Sequence, residues 1–168
     1  ARIALGLQQK LFMGNLDARR DWGHAKDYVE ATHLILQQPV AEDYVIATGT
    51  MTTVREFIVK AFSRAGITIG FTGSGVDEKG VVEKVDHSIA TGEVRPGDEV
   101  MAIDPRYFRP TEVDQLLGDP SKAIRNLGWK PRYNLDALID EMVDADLNLM
   151  RQDNLLRQGG FRVFQYHE

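Results

Sequence analysis

Cysteine is absent from all 168 residues. That excludes disulfides, thiolate zinc sites and cysteine nucleophiles, and it says nothing against the cytoplasm. Basic residues are outnumbered, 20 Lys and Arg against 25 Asp and Glu for a net charge of −5. The chain therefore lacks the cationic excess with which a nucleic-acid binder neutralises phosphates, although local arginines can still grip a small anion. No apolar run approaches the roughly 20 residues of a membrane-spanning helix, and no signal peptide is visible. Glycines at 70, 73, 75 and 80 are spaced wrongly for G-x-G-x-x-G, and VVEKV stands where a phosphate-binding helix would start. They read as turn glycines. The pattern G-x-x-x-x-G-K-[ST] is missing too, and His24, His33, His87 and His167 are too scattered for a metal site. Four residues after Tyr28 stands Thr32, so a Y-x-x-x-K pair, in which a lysine one turn on lowers a tyrosine's pKa, is absent as well.

What is present is 43% hydrophobic content, enough to bury one core in a chain of single-domain length. ARIALGLQQ, with Ile3, Ala4 and Leu7 on one face and no cap before them, reads as the end of a helix, so the chain is expected to begin in the middle of a larger structure. KLFMGN predicts a strand running into a Gly-Asn turn over 10–15. Ala25, Tyr28, Val29, Thr32, Ile35 and Leu36 recur at helical spacing with Asp21 as the expected N-cap, which puts the charged cluster ARRDWGHAKD on a loop and a first helical turn. Tyr28 falls on the apolar stripe, and His24 reads as a hydrogen-bonder at the helix start. YVIATG (44–49) has the pattern of a strand buried on both faces, a pattern that a buried helix fragment shares.

Thr53 and Glu56 form a capping box ahead of the stripe Val54, Phe57, Ile58, Ala61, Phe62, Ala65, and Gly66 stops that helix. ITIGF alternates as a strand. Residues 72–99, rich in Gly, Asp, Glu and Lys around VVEKV, read as a hairpin or an excursion from the core. VMAID (100–104) is another strand. In DPSKAIRNLG, Asp119 suits the cap, Pro120 the first helical position and Gly128 the C-terminal stop. Asn134 opens a longer helix with Leu135, Leu138, Ile139, Met142 and Leu149 on one side and Asp136, Asp140, Asp144 and Asp146 largely outside. Strands and helices alternate loosely, which favours an α/β or α+β class over a bundle.

The main chemical signal is arginine in loops beside helix starts. Arg20 precedes the helix bearing Tyr28, and Arg109 sits in DPRYFRPTEV, held by Pro105 and Pro110. A guanidinium presents a planar fork of donors matched to phosphate, keeps its charge at any working pH and is cheaper to desolvate than an ammonium. Two converging would grip a diphosphate. The plainer alternative is a surface ion pair, such as Arg20 with Asp27.

LFMGNLDARRDWGHAKDYVEATHLILQ, DYVIATG, VREF, GVDEKG, DPRYFRPTEVDQLLGDPSKA and LGWKP together resemble the C-terminal half of the GDP-mannose 4,6-dehydratase family, extended short-chain dehydrogenase/reductases. The likeness runs from Ala1 to about Leu156. It implies an α/β fold: a C-terminal substrate-binding lobe spanning 1–168, plus a late strand (44–49) and helix of a Rossmann sheet whose N-terminal portion is missing. It also implies that Arg20 and Arg109 bind the diphosphate of GDP-mannose, that Glu112 reaches a ribose hydroxyl, and that Asn15 lines the nucleotide pocket.

The family's reaction is an internal redox cycle. NADP takes hydride from C4 of the mannose, water leaves across C5 and C6, and hydride returns to C6, giving GDP-4-keto-6-deoxymannose. The family's glycine-rich start, Thr or Ser, Glu and Tyr-x-x-x-Lys are not in this sequence. The resemblance thus implies a cytoplasmic, NADP-dependent dehydratase, a homo-oligomer (dimer or tetramer) when intact, with no nucleic-acid or membrane partner. Its catalytic and NADP-binding residues lie in the missing half, and the chain alone is expected to be inactive. A related GDP-sugar reductase or epimerase and a stand-alone nucleotide-sugar-binding module are the alternatives, and DPRYFRPTEV argues against the first.

Overall fold

The structure, a computed structural model, describes residues 1–109, 111, 113 and 115–162. It is an α/β arrangement with two mixed sheets. In the larger sheet, β1 (Leu11–Met13) is an edge, and β2 (Arg19–Asp21) leaves it for the smaller one. Helix α1 (Ala25–Leu36), β3 (Met51–Thr53), α2 (Val54–Arg64) and β4 (Ile67–Thr72) follow, then a 3-10 turn at Gly75–Asp77, β5 (Lys79–Val85) and β6 (Glu99–Ile103). The chain ends in β7 (Gln115–Leu116), α3 (Ser121–Leu127) and α4 (Leu135–Gln158).

The larger sheet has the order β1-β6-β5-β4. β4 to β6 form an antiparallel meander, so residues 79–85 lie inside the sheet, while β1 joins β6 in parallel with Leu11 opposite Met101. Alternation along these strands buries Ile67, Ile69, Val82, Met101 and Ile103 on one face, where they meet Ile58 and Phe62 of α2 and Leu147 and Met150 of α4, and Val100 is buried at the register shift beside Gly80 and Val81. α2 starts where its sequence directs. The Thr53 hydroxyl accepts from the Glu56 amide at 3.1 Å and the Glu56 carboxylate returns the contact to the Thr53 amide, while Gly66 takes a φ of +83° after the last turn. The Asn134 side chain caps α4 by accepting from the Ala137 amide at 2.9 Å. The α4 aspartates are exposed as expected yet not idle: Asp136 meets Lys60, and Asp140 and Asp144 both meet Arg64.

The smaller sheet has the order β3-β2-β7, with β2 antiparallel to β3 and parallel to β7. Beside it a second core gathers Ala31, Ala123 and Trp129, with Tyr28, Tyr44 and Ile46 around them. The Trp129 Nε1–H donates to the Asp27 carbonyl at 2.9 Å. The Asp27 side chain, 1% exposed, accepts from the Arg132 and Tyr133 amides at 3.1 Å each. It is therefore not the partner of Arg20.

Three expectations need correction. Residues 19–21 are a strand and not a loop, because they pair with β3 on one side and β7 on the other. Consequently α1 starts later, and its N-cap is His24, whose Nδ1 accepts from the Lys26 amide at 3.1 Å. The Asp21 carboxylate is spent instead on Thr48 N–H, Thr48 O–H and Gly49 N–H, at 2.9, 2.6 and 2.9 Å. The third departure is at α3, whose N-cap is Pro120 and not Asp119. Among the described residues, 44–49 enter no ladder, and the Asp21 carboxylate takes the amides of Thr48 and Gly49 at their end. Residues 1–7 are turns, closed as a helix end closes, with Leu7 N–H bonded to Arg2 O, Gly6 N–H to Ile3 O, and Gly6 at φ +72°.

Because Trp129 is only 2% exposed and is bonded to α1, Trp129→Ala is expected to cost about 3–5 kcal/mol. Urea unfolding followed by circular dichroism measures it, and a cost below about 1 kcal/mol would mean that the second core contributes little.

Candidate functional site

The site is built where β1 runs out. Beyond Met13 the parallel pairing continues, the Asp104 amide donating to Met13 O at 2.9 Å, and the chain then turns through Asp104–Phe108, with Tyr107 N–H and Phe108 N–H both reaching Asp104 O. The Arg106 side chain and amide hold the Asp104 carboxyl below the usual aspartate range. This turn lies directly against Gly14, where a Cβ would overlap the Tyr107 carbonyl. Only glycine admits so close an approach without displacing backbone. One residue on, the Asn15 side chain completes the contact: its Nδ2 donates to Arg109 O at 3.0 Å and its Oδ1 accepts from Arg109 N–H at 2.8 Å, across 94 residues of sequence.

A second tie runs in parallel. β2 pairs with β7 in the register Arg19 to Gln115 and Arg20 to Leu116, and Arg20 Nη1 donates to Val113 O and to Arg19 O, both at 2.8 Å. Both arginine-bearing segments are thereby drawn to one end of the molecule. Arg109 is exposed, and among the described residues its guanidinium enters no hydrogen bond or ion pair. Between the 14–19 segment and the Gly75–Glu78 turn lies a cleft of about 520 Å³, lined by Asn15, Asp17, Arg19, Glu78, Phe108 and Gln115 among others.

Of the residues singled out in the sequence, Asn15 lines this cleft, and both ends of its amide are spent on the Arg109 backbone. Arg20 and Arg109 border the region without being among the lining residues, and Glu112 falls outside the described residues. Arg19, which no local sequence pattern marks, lines the cleft. Strand alternation carries neighbouring side chains to opposite faces, so recognising β2 is what separates Arg19 from Arg20.

The ring of Trp22 anchors the loop below, tilted on Phe57 at 4.5 Å, with its N–H donating to Thr52 O at 3.2 Å. Tyr28 is packed at the second core. Burial first, then Asp21 and Asp27, push its phenol above the ordinary tyrosine pKa, the reverse of what an activated tyrosine needs. His24 is buried, caps α1 and stacks on Tyr133 at 4.3 Å. A further cavity of about 480 Å³ between the N-terminal turns, α2 and α4 is walled by Phe57, Phe62, Ile139 and Met142. It lies away from the arginine segments and is mostly apolar, which suits no diphosphate.

Residues 1–142 match the family described as GDP-mannose 4,6 dehydratase. The GDP-mannose 4,6-dehydratase of Yersinia enterocolitica is 49% identical over 97% of this chain and 44% of its own length. That of Vibrio cholerae is 50% identical over 97% and 43%, and that of Homo sapiens 49% over 90% and 38%. The chain thus spans about two fifths of the curated relatives it matches. Among solved structures, RMD from Pseudomonas aeruginosa, complexed with NADPH, superposes with a TM-score of 0.61 at 19% identity, over 89% of this chain and 39% of that one. UDP-glucose 4-epimerase of Thermotoga maritima, with UDP-glucose, gives 0.60 at 19%, over 89% and 38%. At such identities these two show the shared fold.

Gly14→Ala is expected to push the 104–109 turn away and break the Asn15–Arg109 pair, at an overpacking cost of about 1–3 kcal/mol. Denaturant unfolding gives the cost, and hydrogen exchange should show faster exchange at the Arg109 amide. Unchanged exchange there would show that the close approach at Gly14 is not what holds the turn.

Proposed function

This chain belongs to the GDP-mannose 4,6-dehydratase family, and we propose that it supplies the portion of such an enzyme that grips GDP-mannose, with Arg20 and Arg109 on the diphosphate. Glu112 is assigned to the ribose as the resemblance implies. Asn15 is given a supporting part, fixing the backbone of Arg109. The observation that carries this reading is the pair of ties described above, Asn15 to Arg109 and Arg20 to Val113, which draws two distant arginine segments to one end of the fold. A guanidinium presents five N–H donors in a planar fork that matches phosphate oxygens.

In this reading the intact enzyme converts GDP-mannose to GDP-4-keto-6-deoxymannose with loss of water. Binding energy at the GDP end positions the hexose for chemistry performed by residues beyond this chain. NADP is the cofactor that supplies the hydride chemistry, and the residues present do not fit it. β1 leads through Gly14 and Asn15 into β2 and not into a helix. The start of α1 is capped by His24, and the start of α2 is closed by the Thr53–Glu56 box, whose carboxylate opposes a phosphate. The cofactor is therefore assigned to the part of the family's length that this chain does not span, as is a Rossmann sheet that residues 44–49 would join. Cytoplasmic location and homo-oligomeric assembly belong to the same proposal, and no helix among the described residues is long and apolar enough to cross a membrane.

Calorimetric titration of GDP and of NADP, separately, into this chain is expected to show GDP binding and no NADP binding. GDP-mannose turnover by the chain alone would overturn the placement of catalysis elsewhere. Arg109→Ala should weaken GDP binding by about 1.5–3 kcal/mol, the range for a charge-assisted hydrogen bond. Unaltered affinity in that variant would remove Arg109 from the site.

A further inference from the structure

Arg20 is assigned to the diphosphate, yet the strand that carries it is too short to hold it still. β2 has three residues, paired over three with β3 and over two with β7, and ladders of that length are weak on their own. Its upstream side is secured by the buried Leu16 and Ala18, whose carbonyls accept from Arg55 N–H at 2.8 Å and Val54 N–H at 3.1 Å. Downstream the ladder stops at Asp21, one residue past Arg20. A guanidinium on a long flexible side chain is aimed no better than its backbone, so that end needs a fastening of its own.

The Asp21 carboxylate supplies it. Its Oδ1 accepts from Thr48 N–H at 2.9 Å and from Thr48 O–H at 2.6 Å, and its Oδ2 from Gly49 N–H at 2.9 Å. Bonds to an ionised acceptor are the strong kind. Thr48 Oγ1 accepts in turn from Thr50 N–H at 3.2 Å, one residue before β3 begins, and Gly49 makes the turn at a φ of +75°. Asp21 thus pairs with Met51 through the ladder and reaches residues 48 and 49 through its side chain, so both ends of 48–51 return to one residue. Alternation turns this side chain to the face of β2 opposite Arg20. The strand is gripped from behind while Arg20 Nη1 donates to Val113 O at 2.8 Å.

We propose that Asp21 is a positioning residue that acts through Arg20: bound to Thr48 and Gly49, it fixes the downstream end of β2 so that the guanidinium is ordered before the diphosphate arrives. The inference rests on the assignment of Arg20 to the diphosphate in the preceding subsection, from which its test can be separated. Charge alone predicts the opposite sign. Removing a carboxylate near an anion site should tighten binding, so weaker binding in an Asp21 variant reports geometry.

GDP is titrated calorimetrically into the wild-type chain, Asp21→Ala, Arg20→Ala, Arg109→Ala and the double variants Asp21→Ala/Arg20→Ala and Asp21→Ala/Arg109→Ala, with a thermal melt of each. Asp21→Ala should raise the Kd for GDP about tenfold, the order of what ordering a loose side chain on binding costs. Because that loss passes through Arg20, Asp21→Ala/Arg20→Ala should bind no more weakly than Arg20→Ala, within about twofold, whereas the losses in Asp21→Ala/Arg109→Ala should multiply. A merely structural Asp21 would lower the melting temperature and either leave affinity unchanged or weaken binding equally with and without Arg20. Each of those results overturns the proposal, as does tighter binding in Asp21→Ala.

Should Asp21→Ala not fold, Thr48→Val decides, because it removes one of the three donors to the carboxylate and leaves the two amides in place. Its Kd for GDP should rise about threefold, the order of one hydrogen bond, while Thr48→Ser, which keeps the hydroxyl, should bind as the wild type does. Wild-type affinity in Thr48→Val, or an equal loss in Thr48→Ser, overturns the proposal. If Arg20→Ala and Arg109→Ala both leave GDP affinity intact, the nucleotide reading itself fails and the role of Asp21 with it. If they weaken binding and Asp21→Ala does not, only the role of Asp21 falls.

Discussion

The parallel pairing of β1 with β6 is the constraint on which the rest of the candidate site depends. Its register places Met13 opposite Ile103, so the two chains leave the sheet side by side and in the same direction. Gly14 then lies under the Tyr107 carbonyl, and Asn15 comes within reach of the Arg109 backbone. Shift the register by one residue and the side chains of β1 exchange faces, which would turn Leu11 and Met13 away from the core they pack against. The apolar demand of the core and the polar geometry of the site are thus met by the same alignment.

Charge at the site is organised in the same economical manner. This chain is net acidic, and its candidate anion site is bordered by acidic side chains, so selective pairing and not overall charge must make room for an anion. Asp104 is held by Arg106, Asp17 and Glu78 by Arg55, and Asp21 by the amides of Thr48 and Gly49. Among the described residues, each of these carboxylates has a local partner.

Much of the scaffold is readable in the sequence because it is locally determined. The Thr53–Glu56 box and the Asn134 cap are short-range contacts that residue type predicts, whereas α3 starts a residue later than its sequence suggests, with Pro120 and not Asp119 in the cap position. The alternation in ITIGF and VVEKV likewise carries its own signal. β2, β3 and β7, at three, three and two residues, carry none, since a strand that short is defined by its neighbours. That is why Asp21 reads as a cap: an aspartate before a helical stripe satisfies the local rule, and nothing nearby in sequence reveals that residues 48 and 49 will claim it. Arg19 carries no local signal for the same reason. The pairing of Asn15 with the Arg109 segment is a long-range property that periodicity cannot supply, and only the resemblance of whole strings pointed toward it.

Both parallel pairings close very long stretches of chain, Leu11 to Met101 and Arg19 to Gln115. Closure entropy of that size must be met before any contact is gained, so such pairings are expected to form late and to open early. The meander β4–β5–β6 and the capped helix α2, made of near neighbours, come first. The cleft thus lies at a seam, between a connection held by these long-range pairings and the turn that enters the meander. A ligand bridging that seam stabilises the whole by mass action, so that occupancy and completeness of folding become two measures of one equilibrium.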